Sequence, residues 1–320
     1  MIGDIKRSDF ETWVECCKPP LVEHPLHAIA ALMTSAAFTH PVDQIEIFGA
    51  LADATAATKD HAERAKLITD RLPWVIEGKE RTALPRALWD EYWKIIERSP
   101  ANFEGELDLT LSVVALGKYY DRRIIDECEE SLLQFDSVRN LITLPEIRLK
   151  TTDLENHAQD SLATDLLNML TANGYDIEVI DADTVLLEGN YPAQNRTNRR
   201  ILQLHDVWHL VGGYDFTPAG EVAISGFQLA QFGQNYSTRF LATVASQSAV
   251  HTPDYMPLLL DVMFDGWRHG RAAKQLMDAP WHQLIADPIS QIRKDYGLDP
   301  IASEAVDQME ALTAAITAAA

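Results

Sequence analysis

The sequence predicts an all-α protein, a multi-helix bundle with a metal site between two consecutive helices, and three observations carry that expectation. Apolar side chains through residues 8 to 145 recur at intervals of three and four, the period of an amphipathic helix. Breaks at Lys18-Pro19-Pro20, His40-Pro41, Pro73 to Pro85 and Ser99-Pro100 fall between those stretches, where a missing N–H and a fixed φ end helices. Further along, His205, Asp206 and His209 stand at helical spacing, and Glu221 follows His209 after eleven intervening residues.

In chain order, the period marks helices from Phe10 to Cys17, His27 to Phe38, Val42 to Thr58, His61 to Leu72, Arg86 to Arg98, Leu107 to Tyr119 and Arg122 to Phe135. Together they make an N-terminal helical region of residues 1–145. His24, His27, His40 and His61 share no spacing and have no carboxylate at a fixed offset, so they read as structural or surface residues. Cys16, Cys17 and Cys128 form neither a zinc pattern nor a disulfide framework and read as buried or idle thiols.

A second region, residues 146–300, opens near Leu144-Pro145 with a helix from Asp153 to Leu170, stopped by Asn173-Gly174. A small β-hairpin is expected next, from Ile177 to Ile180 and from Thr184 to Leu187 around Asp181-Ala182-Asp183, on the strength of its β-branched content. Residues 301–320 read as an Ala-rich tail, a fraying or disordered helix end.

The chemistry concentrates within the second of these regions. Residues four apart on a helix stack one turn above the other, so His205 and His209 can converge on one ion. Asn198 to Leu204 holds few helix breakers, and Gly212-Gly213 supplies a C-terminal stop. Beyond a turn at Tyr214-Asp215-Phe216, Thr217 can cap a new helix with Pro218 in its first turn. Glu221 then sits at the positive dipole end, where its ionised form is favoured by about 0.3–1 kcal/mol. Asp206 points about 100° away from His205 around the axis, so direct binding, binding through water and orientation of an imidazole all stay open to it. A His-x-x-x-His pair alone is usually a surface coincidence; the added carboxylates turn the reading to a metal site. Trp208 inside the motif reads as core packing rather than substrate contact.

After Glu221, Ser225, Gln228, Phe232, Asn235 and Arg239 follow at spacings of four and three and would share one helix face. Such a polar stripe suits a hydroxylated, charged head group, with Arg239 for a carboxylate or phosphate, although an ordinary solvent face reads the same way. From Leu258 to Met277 an apolar helix carries Gly266 and Gly270 one turn apart, at a cost of about 1 kcal/mol each relative to alanine. Close helix packing offsets that cost, or else a groove for a prenyl chain does.

His205-Asp206-x-x-His209 with Glu221 resembles the signature of the coenzyme Q (ubiquinone) biosynthesis protein four family. Gly266-Trp267, Gly270, Leu276, Trp281, Pro288, Arg293 and Leu298 follow in that family's order and spacing. Upstream, Ser161-Leu162-Ala163 and Leu170 are similar too, with Ala163 where a Gly is usual and Leu166 where a Tyr is usual. The resemblance covers about residues 155 to 300. It implies a mostly helical protein whose His205, Asp206, His209 and Glu221 form the metal site. It also implies removal of the ring carboxyl of a polyprenyl hydroxybenzoate with oxidation of that carbon, a second role organising other ubiquinone-biosynthesis proteins, and a homodimer.

Two imidazoles with one or two carboxylates suit zinc first, with iron, manganese or magnesium as the other candidates; no Cys lies near for a soft copper centre. Two rival readings remain: a non-catalytic prenyl-lipid-binding scaffold, and a metal-dependent hydrolase that would need further ligands such as His157 and Asp254. A formal net charge of −21 argues against nucleic acid as a partner. No apolar stretch of spanning length and no secretory signal is read, so the expected place is cytoplasmic, either free or peripheral to the inner face of a membrane.

Overall fold

The computed structural model describes residues 5–99, 103, 106–146, 148–173 and 186–319. Helices account for all their regular structure, and no strand occurs among the described residues. The expected hairpin lies largely outside them; Leu186 and Leu187, its described end, form no strand. The first half holds α1 (Arg7–Cys16), α2 (Pro25–Phe38), α3 (Gln44–Ala57), α4 (His61–Arg71), α5 (Trp74–Glu77), α6 (Arg86–Glu97), α7 (Glu106–Ala115), α8 (Arg122–Leu132) and α9 (Asp136–Thr143). After them come α10 (Leu162–Asn173), α11 (Pro192–Gly212), α12 (Pro218–Phe232), α13 (Asn235–His251), α14 (Met256–Ala272), α15 (Trp281–Leu284), α16 (Ile289–Tyr296) and α17 (Glu304–Ala319).

Several boundaries differ from the periodic reading, each for a local reason. The helix expected from Arg122 to Phe135 stops at Leu132, and Asp136 opens α9. The helix expected from Asp153 is only a 3-10 turn, Thr151–Leu154, followed by Asn156 in the left-handed region at φ 64°. The helix proper waits until Leu162. There the Ser161 hydroxyl accepts the Thr164 N–H at 3.3 Å, while the N–H groups of Leu162 and Ala163 donate to the carbonyls of Asp287 and Ile285. That bonding satisfies N-terminal donors that a helix cannot satisfy internally. Most of the expected Ala-rich tail is helix α17, which lies against α12 and α14.

Buried apolar residues form one set from Phe10 to Val306, so both halves share it. Helix α2, apolar on nearly every face, packs along α13. Within that contact the Tyr92 hydroxyl donates to Ser246 at 2.8 Å and lies 3.0 Å from Thr34, which keeps its polar end satisfied at full burial. Gln44 at the start of α3 donates to Ser131 of α8 and to the Gly233 carbonyl, both at 2.7 Å, and so fastens the α12–α13 turn to the first half.

Helices α12 and α14 approach backbone to backbone. A Cβ on Gly266 would lie 1.9 Å from the Ala223 carbonyl oxygen, one on Gly226 would lie 2.2 Å from that of Met263, and one on Gly270 would lie 2.6 Å from that of Phe227. The glycine stripe is therefore filled by α12, and the prenyl groove considered for it is not formed there. Replacing Gly266 with Ala should destabilise by about 1–3 kcal/mol through overpacking. Gly49→Ala, whose new Cβ meets nothing nearer than 3.6 Å, should be neutral or stabilising. Denaturant midpoints of the two variants, falling for the first alone, check the contact.

Candidate metal centre

Helix α11, 21 residues and about 31 Å long, carries the two histidines in its C-terminal half. Its N-terminus is capped from α8: both oxygens of Glu129 accept backbone N–H groups, from Ala193 at 2.7 Å and Gln194 at 2.9 Å. Its C-terminus stops at Gly213, at φ 72°. Arg293 holds the last turn, donating to the carbonyls of Val211 at 2.8 Å and Leu210 at 2.9 Å. Helix α12 begins as the sequence predicts, with the Thr217 hydroxyl accepting the Gly220 N–H at 3.1 Å; that hydroxyl donates in turn to Glu310 of α17 at 2.7 Å.

These ends bring His205, His209 and Glu221 together, with one ligand atom from each within 4.8 Å of the others. His205 Nε2 lies 3.2 Å from Glu221 Oε2, His209 Nε2 lies 3.2 Å from Oε1, and the two Nε2 atoms are 3.1 Å apart. Ligands at about 2.0–2.1 Å from a tetrahedral ion stand about 3.3–3.4 Å from each other, so the donor set fits a cation in both identity and spacing. His209 is fully buried, whereas the His205 and Glu221 side chains are 31% and 33% exposed. The centre thus has a closed back and an accessible front.

Proton placement follows from the outer bonds. His209 Nδ1 lies 3.2 Å from the Tyr214 carbonyl, to which it donates, and this leaves Nε2 bare towards Glu221. The Gln228 amide nitrogen lies 2.9 Å from His205 Nδ1 and donates to it, which places a proton on His205 Nε2, the atom facing Glu221 and His209. Burial resists charge on His205, but the hydrogen bond and charge of Glu221, with Asp206 beside it, raise its pKa above the ordinary value. Burial likewise pushes the Glu221 carboxyl up, and the hydrogen bond from His205 Nε2–H, with the His209 ring beside it, outweighs that and holds it well below the usual range. Phe216 covers the remaining face of His209, stacked at 4.3 Å and 18°.

Asp206 is not in this group; it acts on His205 through its charge. Trp208 is buried against Phe232, the packing role expected of it. The single polar face expected from Glu221 to Arg239 is divided between two helices, because Gly233 takes φ 66° and ends α12. Ser225, Gln228 and Phe232 are buried on α12. Asn235 and Arg239 belong to α13: Asn235 donates to the Ala37 carbonyl and accepts from Tyr120, while Arg239 stacks over the Tyr120 ring at 5.1 Å. The contacts of Tyr214, Phe216 and Gln228 to the histidines were not foreseen. The first two lie in the loop that joins the ligand helices, the one local signal that could have found them.

A helical bundle with a two-histidine, one-carboxylate centre between consecutive helices is the class of protein that these features define. Residues 110–302 match the family model described as Coenzyme Q (ubiquinone) biosynthesis protein Coq4, and the chain belongs to that family. The mitochondrial ubiquinone biosynthesis protein COQ4 of Zygosaccharomyces rouxii is 26% identical over 115 residues, 34% of this chain; the chain spans 32% of that relative's length. A crystal structure from Nostoc punctiforme, provisionally described as a ubiquinone biosynthesis protein, shares the fold with a TM-score of 0.51 at 18% identity, over 66% of this chain and 97% of that one.

Elemental analysis of protein purified without chelator should find about one divalent ion per chain in the wild type and in Asp206→Asn, and none in His209→Ala. Full occupancy in His209→Ala would remove the site from these residues. Zinc added to metal-free protein in weak buffer should expel more protons per ion at about pH 6 than at about pH 8, because the raised pKa of His205 gives it a second proton as the pH falls, and only one of the two can move to Nδ1 when the ion takes Nε2. An indicator dye that registers the same release at both pH values would mean that His205 enters the site neutral throughout.

Proposed function

We propose that this protein acts in ubiquinone biosynthesis as a metal-dependent decarboxylase of the ring carboxyl of a polyprenyl hydroxybenzoate. One observation carries the reading: the front-open convergence of His205, His209 and Glu221 in a chain of this family. A divalent ion held there supplies Lewis-acid polarisation of the ring carboxylate or phenolate, or oxygen activation if it is iron.

The chain's own groups do the rest. Three protein ligands, with Asp206 outside the set, leave open the coordination position that catalytic centres keep and structural ones close. Gln228 presents either end of its amide to His205 Nδ1, so turning it through 180° places its oxygen on an Nδ1–H and frees Nε2. Phe216 and the buried back wall keep water from His209. Arg239 has two guanidinium nitrogens, Nε and Nη1, without a hydrogen-bond partner, which suits it to an anionic substituent; Ser225, Gln228 and Asn235 complete the proposed head-group set.

In the reaction the bond between ring carbon and carboxyl breaks, CO₂ leaves, and the electron pair stays on the ring. That carbon then takes a proton or, in the oxidative variant, one oxygen atom of dioxygen as co-reactant, the other oxygen atom leaving as water with two electrons and two protons from a two-electron donor. The reading extends to a homodimer working with other ubiquinone-biosynthesis proteins at the inner face of a membrane, and family membership supports it there. No helix among the described residues is long and apolar enough to cross a membrane.

With substrate labelled at the ring carboxyl, the metal-loaded wild type should release labelled CO₂. Release from folded His209→Ala should fall on the order of 100-fold or more. Unchanged release would sink the catalytic reading in favour of a lipid-presenting scaffold.

A further inference from the structure

We propose that His269, on α14 behind the centre, is a positioning residue: through the Tyr214 hydroxyl it fixes the loop carbonyl that holds His209 with Nε2 bare towards Glu221. This rests on the reading of His205, His209 and Glu221 as a cation site, and it concerns residues that the metal does not touch.

The contacts form an unbroken chain. His269 Nε2 lies 2.7 Å from the Asp299 carbonyl, to which it donates, and that leaves Nδ1 as the lone pair. The Tyr214 hydroxyl donates to Nδ1 at 2.7 Å. Tyr214 is then tied to His209 twice, its carbonyl accepting from Nδ1 at 3.2 Å and its N–H donating to the His209 carbonyl at 3.0 Å. A hydroxyl fastened at one end of Tyr214 thus restrains a carbonyl at the other.

Each member suits that task. Tyr214 is buried, and its ring folds back over Gly212, where a Cβ would lie 2.6 Å away; any other residue at 212 would displace the ring. Both rings pack on Phe227, with centroids 5.7 Å from Tyr214 and 5.4 Å from His269. Burial pushes the Tyr214 hydroxyl up and the His269 imidazole down, so both stay neutral and the contact is an O–H donating to a lone pair. A neutral imidazole places an acceptor and a donor on opposite edges of one rigid ring, which is what a buried hydroxyl on one side and a carbonyl on the other require. The backbone beyond is fastened as well: the Ile301 N–H donates to the Gly212 carbonyl at 2.9 Å, beside Asp299 in sequence.

The consequence for the centre is specific. Without a fixed Tyr214 carbonyl, His209 is free to carry its proton on Nε2, the atom meant for the ion, and the loop leading to Glu221 loses its anchor. A partner that orients a ligand imidazole typically changes metal affinity 10–100-fold.

The test measures zinc affinity by competition with a chromogenic chelator, beside thermal melts of the metal-free proteins. Tyr214→Phe and His269→Leu should bind zinc about 10-fold more weakly. His269→Asn, whose side-chain oxygen can stand where Nδ1 stands, should recover most of that loss. In metal-free wild type, ¹⁵N NMR should place the His209 proton on Nδ1 alone, and His269→Leu should mix the tautomers. If the variants melt lower but keep wild-type zinc affinity and a pure His209 tautomer, His269 is merely structural and the proposal falls. His209→Ala separates the two readings. If it keeps zinc, the cation site itself is wrong; if it loses zinc while Tyr214→Phe and His269→Leu bind normally, only the positioning role is wrong.

Discussion

The contact between α12 and α14 is the constraint on which the site depends, because two helix backbones meet there with no side chain between them. Gly226 faces Met263, and Gly266 and Gly270 face Ala223 and Phe227. Such an approach sets the depth of α12 against the rest of the molecule more tightly than interdigitated side chains could, since backbone atoms have no rotamers through which to yield. Glu221 is at one end of α12 and Gln228 is two turns on, so both reach α11 from a fixed base. His269 lies between Gly266 and Gly270 in sequence, and the same depth brings it to Tyr214.

The centre concentrates an unfavourable arrangement that a cation would relieve. Two imidazole nitrogens 3.1 Å apart, each beside an oxygen of one carboxylate, hold together in the metal-free protein through a shared proton. The lowered Glu221 and the raised His205 describe one thing from two sides, a negative group and a position that attracts positive charge. Desolvation opposes both charges, so the pairing is sustained by mutual attraction and not by water. A divalent ion offers that attraction twice over and needs no proton.

Much of this was legible in the sequence. The His205–His209 pair, the Gly213 stop and the Thr217-Pro218 start are local features with local causes, and the structure contains each of them. The family resemblance read over about residues 155 to 300 lies inside the family match, which starts earlier, at residue 110, and its downstream residues acquire physical roles: Gly266 and Gly270 in helix contact, Arg293 on the last carbonyls of α11. The extended polar face failed where a glycine was passed over. Gly233 could have been read as a C-terminal stop, as Gly213 was, and Asn235 and Arg239 would then have been assigned to their own helix.

By itself the sequence determined which residues share a helix turn, where helices start and stop, and that His205 and His209 project from one side towards a carboxylate at the head of the next helix. Helical period, proline and glycine act over a few residues and need no partner. The tertiary structure alone decided that Asp206 stands outside the group, that Gln228 and the Tyr214 carbonyl settle the two imidazole protons, and that His269, 55 residues beyond Tyr214, completes the support behind them. The reason is range: a hydrogen bond exists only within about 2.7–3.2 Å, and which distant groups come that close is fixed by how helices pack, a quantity that no local period encodes.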